Sequence, residues 1–234
     1  MHSHIDWLES LSPWPEEFGL GRMRALLAEL VEPQRAYPAI HVVGTNGKST
    51  ATRRAAAFLA REGLSVGAYT SPHVSGWAER IQVDGEDADL EGALARVREP
   101  AERLGATQFE ILTAAALGEF AAAEVDVAVV EAGLGGRLDA TNVLDAQVVV
   151  LTNVALDHVD VLGATREAIA AEKLAVVSSG ATVVLGEPEW LSLARAREAD
   201  DHQHHDRRDR EDAQPLAELS HGMRKSRTLR SASR

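Results

Sequence analysis

"HVVGTNGKST", residues 41–50, is the stretch from which the fold can be read. A β-branched apolar run gives way at once to Gly44, Thr45, Asn46, Gly47 and Lys48, followed by two hydroxyls, Ser49 and Thr50. Glycines let backbone N–H groups converge on phosphate oxygens, and a helix starting just after them adds its positive end. A lysine closing such a turn reaches the terminal phosphates of a nucleotide, and a hydroxyl from Ser49 or Thr50 would sit near a divalent cation. Position 42 is Val, where the full G-x-x-x-x-G-K-[ST] pattern has Gly. The plainer alternative is a glycine turn with an exposed lysine, so the flanking elements have to decide.

They favour phosphate. "AIHVVG" (39–44) reads as a buried strand. Residues 48–62 carry Ala55, Ala56, Phe58 and Leu59 at helical spacing, and Gly63 stops the helix. "SVGAYTS" (65–71) is the next strand. Strand, glycine turn, helix and strand within about thirty residues make a βαβ unit, hence a parallel sheet. Upstream, "HIDWLESL" and "GLGRMRALLAELV" are helical. Downstream, "DLEGALARVREPAERLG" and "FEILTAAALGEFAAAEV" are helices, and 125–133, 146–154 and 181–186 are strands. A further helix runs from about Thr165 to Val177. The expected fold is α/β, a mostly parallel sheet flanked by helices.

Composition narrows the function. The 234 residues are 45% hydrophobic and 26% charged, and suffice for one α/β domain. A net charge of −12 argues against a general nucleic-acid binder. No cysteine is present, which removes thiolate nucleophiles and cysteine-ligated zinc. No apolar run reaches membrane-spanning length and the N-terminus lacks a signal-peptide pattern, so no membrane association and a cytoplasmic location are expected. From Asp200 to Arg234 seven acidic and eight basic residues accompany few aliphatics. That composition predicts a disordered tail after an ordered body of residues 1–199. The "DHQHHD" run (201–206) lies in that tail and is a weak metal candidate.

Glu131 ends an apolar strand, where open parallel sheets bind their ligands, and could hold Mg²⁺ beside the phosphate loop. "GLGGRLDATN" (133–142) follows it. "TNVALDHVDVLG" (152–163) ends another strand with Asn153, Asp157 and His158; a neutral imidazole there is a competent metal ligand. Lys173, taken alone, is an exposed helix lysine.

Together "HVVGTNGKST", "YTSPHVSGWAERI", "TQFEILTAAAL", "VDVAVVEAGLGGRLDATNV" and "TNVALDHVDVLG" resemble the ATP-binding domain of the folylpolyglutamate synthase and dihydrofolate synthase family, within the Mur ligase superfamily. The likeness runs in order over about residues 5–190. It implies a P-loop-like central domain that joins L-glutamate to folate or pteroate through an acyl phosphate, using ATP and Mg²⁺, and acting as a monomer. By the resemblance, residues 44–50 bind the ATP phosphates, and Ser71, Glu131 and His158 hold Mg²⁺. Lys48 neutralises the transferring phosphoryl group, and Lys173 stands where the family has a carbamylated lysine.

Three departures stand out. Ser49 replaces the glycine that the folate enzymes place after the loop lysine, as in the cell-wall ligases of the superfamily. Leu174 and Ala175 replace the family's Ala-Gly after Lys173. The family's second, C-terminal domain is expected to be missing, and the first is expected to stop short of its end. Two other readings follow: a cell-wall ligase, or an ATP-binding remnant without catalysis.

Overall fold

A computed structural model describes residues 3–13, 15 and 18–199; the tail expectation and the "DHQHHD" run therefore lie outside the described residues. The chain opens with α1 (His4–Glu9) and α2 (Gly21–Glu29). Ser3 caps α1, its side chain accepting from the Asp6 amide while Asp6 answers the Ser3 amide. Strand β1 (Ala39–Val43) then leads through the glycine turn into α3 (Lys48–Arg61) and β2 (Val66–Tyr69). A hairpin of β3 (Ile81–Val83) and β4 (Glu86–Asp87) follows, then α4 (Leu90–Leu104) and α5 (Gln108–Ala122). The remainder is β5 (Val127–Glu131), β6 (Val148–Leu151), α6 (Val159–Leu162), α7 (Arg166–Lys173) and β7 (Thr182–Leu185). Residues 191–199 are helical.

The sheet order is β4-β3-β2-β5-β1-β6-β7. The five strands from β2 to β7 run parallel, and β3 and β4 are antiparallel. Glycine-loop strand β1 is central: Val42 stands beside Glu131 of β5 and Val150 of β6. Its loop therefore emerges in the crevice beyond the carboxyl ends of three strands, where open α/β sheets bind ligands.

The hairpin went unread because its strands have only three and two residues, too short for an alternation pattern. Its signal was Asp84-Gly85, whose positive φ values of 52° and 86° make the tight turn. The long helix read from Thr165 to Val177 is α7 followed by a 3-10 turn, Leu174–Val176, so the helix tightens just after Lys173.

Two apolar layers flank the sheet. On one side α1, α2, α4 and α5 bury Leu26, Leu94, Leu112, Leu117 and Phe120 against Val43, Tyr69 and Val130. Gly67 allows this close packing, since a Cβ there would stand 2.5 Å from the Phe120 ring. On the other side Ala51, Ala55, Ala56 and Leu59 of α3 cover Val42, Val66, Val127 and Val129. Phe58, read as part of that apolar face, instead points outward and is 67% exposed.

Candidate active site

The glycine loop after β1 is held by the end of β6. Gly44 has φ +150°, and a Cβ on it would fall 1.9 Å from the Thr152 hydroxyl, so only glycine permits this approach. Sheet pairing runs on past the strands, with the Thr152 amide donating to Val43 O and the Thr45 amide to Asn153 O, both at 2.9 Å. The Asn46 amide donates to Asn153 Oδ1 at 2.9 Å, and the Thr152 hydroxyl donates to Asn46 O at 2.7 Å. Thr45 Oγ1 accepts from the Ala155 amide at 3.0 Å. Gly47, at φ +77°, then turns the chain into α3, whose first internal bond is from the Ala51 amide to Gly47 O. The amides of Lys48, Ser49 and Thr50 lie in that first turn, where a helix supplies no partner for N–H groups.

Glu131 closes the other wall. It is 1% exposed, and its two oxygens accept from the Ser49 hydroxyl and the Ser71 amide, each at 3.0 Å. Burial pushes its carboxyl pKa up, opposed by those two bonds and by the charges of Lys48 and Arg80. Of the two hydroxyls after the lysine, Ser49 is the one that meets this carboxylate; Thr50 is exposed. His158 is also exposed, sits at φ +47°, and precedes α6 with Asp157 3.8 Å away. It lines the same cavity as Lys48 and Ser71.

Lys173 corrects the reading of an exposed helix lysine. It is 4% exposed, and its Nζ donates to Gly44 O at 2.9 Å, so it is a buried strut under the glycine loop. Burial, helped by the charge of Lys48, pulls its pKa down to about 8. The glycine-rich loop after Glu131 makes this seat: a Cβ on Gly136 would lie 2.7 Å from Lys173 O, and the Arg137 amide donates to Glu172 O.

A cavity of about 730 Å³ opens from this cluster. Its wall is largely apolar, with Phe18, Pro72, Phe109, Leu134 and Val161 among the lining residues. Two polar lining residues escaped the sequence reading. Arg80 is buried, donates to Thr70 O, and lies over the Trp77 and Phe109 rings. Asp139 is buried and accepts from the Leu134 amide and from both the amide and the hydroxyl of Thr141. Arg80 stands near the end of "YTSPHVSGWAERI" and Asp139 inside the glycine-rich loop, so both segments were visible but not these side chains' direction.

Among the described residues no three His, Asp or Glu side chains gather as a metal cluster. A hard cation nevertheless suits what is here: a buried carboxylate and a neighbouring serine supply oxygen, and positive charge would offset the desolvation that raises the Glu131 pKa. The imidazole of His158, which lines the same cavity, would be the remaining donor of the set.

These features define a class: a parallel α/β domain carrying a glycine loop at the carboxyl end of its central strand, beside a large apolar cavity. The chain belongs to the Mur ligase middle domain family, which it matches over residues 42–204. It is 39% identical over 193 residues to the dihydrofolate synthase/folylpolyglutamate synthase of Escherichia coli K12, covering 81% of this chain and 46% of that one. It is 42% identical over 213 residues to the folylpolyglutamate synthase of Lacticaseibacillus casei, covering 86% and 50%. A solved folylpolyglutamate synthase in complex with AMPPCP and folate superposes with a TM-score of 0.79 at 39% identity, over 85% of this chain and 52% of that one. E. coli FolC in complex with DHPP and ADP gives 0.76 at 37%, over 87% and 50%. The chain thus spans about half the length of the curated relatives it matches.

Proposed function

We propose that residues 1–199 form the ATP-binding part of an ATP-dependent carboxylate–amine ligase that adds L-glutamate to folate or dihydropteroate. The observation that carries this reading is the position of Lys48. It closes the phosphate loop and also lines the apolar cavity, so a terminal phosphate and an acceptor in the cavity would meet at one side chain.

The chemistry follows from that meeting. A carboxylate oxygen of the acceptor attacks the γ-phosphorus, and the bond to the β–γ bridging oxygen breaks as ADP leaves. The amine of glutamate then attacks the acyl carbon, inorganic phosphate leaves with the electron pair of the C–O bond, and the amine loses a proton. The helix-turn amides of residues 48–50 and the ammonium of Lys48 offset charge on the phosphoryl group, so catalysis is positional and electrostatic. Ser71, Glu131 and His158 would hold Mg²⁺, which when bound supplies further charge neutralisation at the phosphates. Glu131 also orients Ser49 at the loop. Apolar walls around Phe109 and Leu134 suit a flat heterocycle and keep water from the acyl phosphate.

The same reading takes Lys173 as a carbamylation site and the protein as a cytoplasmic monomer; among the described residues no helix is long and apolar enough to cross a membrane. Ser49 keeps a second reading in view, a ligase for cell-wall precursors. The test is ADP release by the purified chain with ATP, Mg²⁺, L-glutamate and either dihydropteroate or tetrahydrofolate. Glutamate-dependent release with a pteridine acceptor supports the proposal. Release only with UDP-linked muramyl substrates selects the second reading, and ATP binding without release under any condition selects a non-catalytic role.

A further inference from the structure

Two backbone amides of the phosphate loop are already in use. The Thr45 amide donates to Asn153 O and the Asn46 amide to Asn153 Oδ1, both at 2.9 Å. One residue on the neighbouring strand end therefore takes consecutive N–H groups that a phosphate loop would otherwise turn toward its anion. The hydroxyl of Thr152 and the amide of Ala155 engage the same two loop residues from either side of Asn153.

This strip is itself braced. Glu187 Oε2 accepts from the Val154 amide at 3.0 Å and from Arg166 Nη2 at 3.1 Å. Arg166 Nε donates to Val154 O at 2.8 Å, so both polar backbone groups of Val154 are tied to a carboxylate–guanidinium pair. The glycine that permits the contact, Gly44, is in turn held by Lys173.

Resting on the ATP-binding reading above, we propose that Asn153 is a positioning residue for the nucleotide: it latches the loop through the Thr45 and Asn46 amides and leaves those of residues 47–50, with Lys48, as the phosphate donors. The physical basis is preorganisation. A glycine-containing loop has many conformations to lose on binding, and a latch that fixes its first half beforehand removes part of that cost. A neutral amide hydrogen bond is worth about fivefold to tenfold in an equilibrium constant, which sets the size of the effect.

The test compares wild type, Asn153→Ala and Asn153→Asp by titration calorimetry with MgATP and by amide hydrogen exchange without nucleotide. The expected result is a protected Asn46 amide in wild type, loss of that protection in Asn153→Ala, and its return in Asn153→Asp, which keeps an accepting oxygen. Asn153→Ala should weaken MgATP about fivefold to tenfold, beside the small fall in thermal midpoint that the loss of one hydrogen bond brings. A purely structural residue would lower the midpoint alone and leave MgATP affinity where it was. MgATP affinity within twofold of wild type in Asn153→Ala would overturn the latch while leaving the functional reading intact. A wild type that binds no MgATP would overturn both, and exchange at Asn46 would then report only on the hydrogen bond.

Discussion

The Nζ of Lys173 donates to the carbonyl of Gly44 at 2.9 Å, joining the end of α7 to the root of the phosphate loop across 129 residues of sequence. Burial and the nearby Lys48 charge lower its pKa to about 8, against an ordinary 10.5. A sizeable fraction is therefore a neutral amine at pH 7–8, and only the neutral amine attacks CO₂ to give a carbamate and a proton. The carbamate nitrogen keeps one hydrogen and with it the bond to Gly44. Protein equilibrated with ¹³C-bicarbonate should show a carbamate carbon resonance that grows between pH 7 and pH 9 and is missing from Lys173→Ala. An unmodified Lys173 across that range would contradict this.

His41, on β1, is 1% exposed, and its Nε2 lies 2.8 Å from Thr141 Oγ1, whose own hydrogen goes to Asp139. Nε2 therefore carries the proton in the neutral ring. Burial lowers its pKa from 6.5 to about 4. Between these values the unfolded chain binds the extra proton and the folded chain does not, so stability falls as pH drops from 6.5 to 4 and this contribution levels off below. The loss amounts to about 3 kcal/mol. Urea unfolding at pH 7 and pH 5 should reveal the slope in wild type and a shallower one in His41→Gln, which can still donate to Thr141.

Glu131→Gln keeps an oxygen for the Ser49 hydroxyl or the Ser71 amide but removes the charge that faces the proposed cation. Mg²⁺ should then cease to strengthen ATP binding, while metal-free ATP binds as well as to wild type or better, since a negative charge near the phosphates is gone. A retained Mg²⁺ effect would remove Glu131 from the metal site.

Gly67→Ala tests the packing of α5 on β2. The new methyl group meets the Phe120 ring, which is fully buried and in edge contact with Tyr37. A cost of about 1–3 kcal/mol is expected, read as a lower urea midpoint at unchanged slope. An unaltered midpoint would mean that Phe120 has room to move.

How much of this the sequence disclosed depended on whether local pattern or tertiary contact set each feature. The βαβ unit around residues 39–69 was legible because strand, glycine turn and helix each leave a local signature. Lys48, Ser71 and His158 were named in advance and line one cavity, with Glu131 in direct contact with Ser71. The burial of Lys173 was not legible from its helix, because it arises from Gly136 and Gly44, both distant in sequence. Asn153 and Arg80 were quoted within motifs, yet their roles follow from which backbone atoms they meet, and no spacing rule carries that. The hairpin at 81–87 was missed for its brevity.

The most direct test of the central claim is titration of the purified chain with ATP, with and without Mg²⁺, beside Lys48→Ala. Saturable one-to-one binding that Mg²⁺ strengthens and Lys48→Ala abolishes is the expected result. No binding, or binding that Lys48→Ala leaves untouched, would contradict a nucleotide site at the tip of β1.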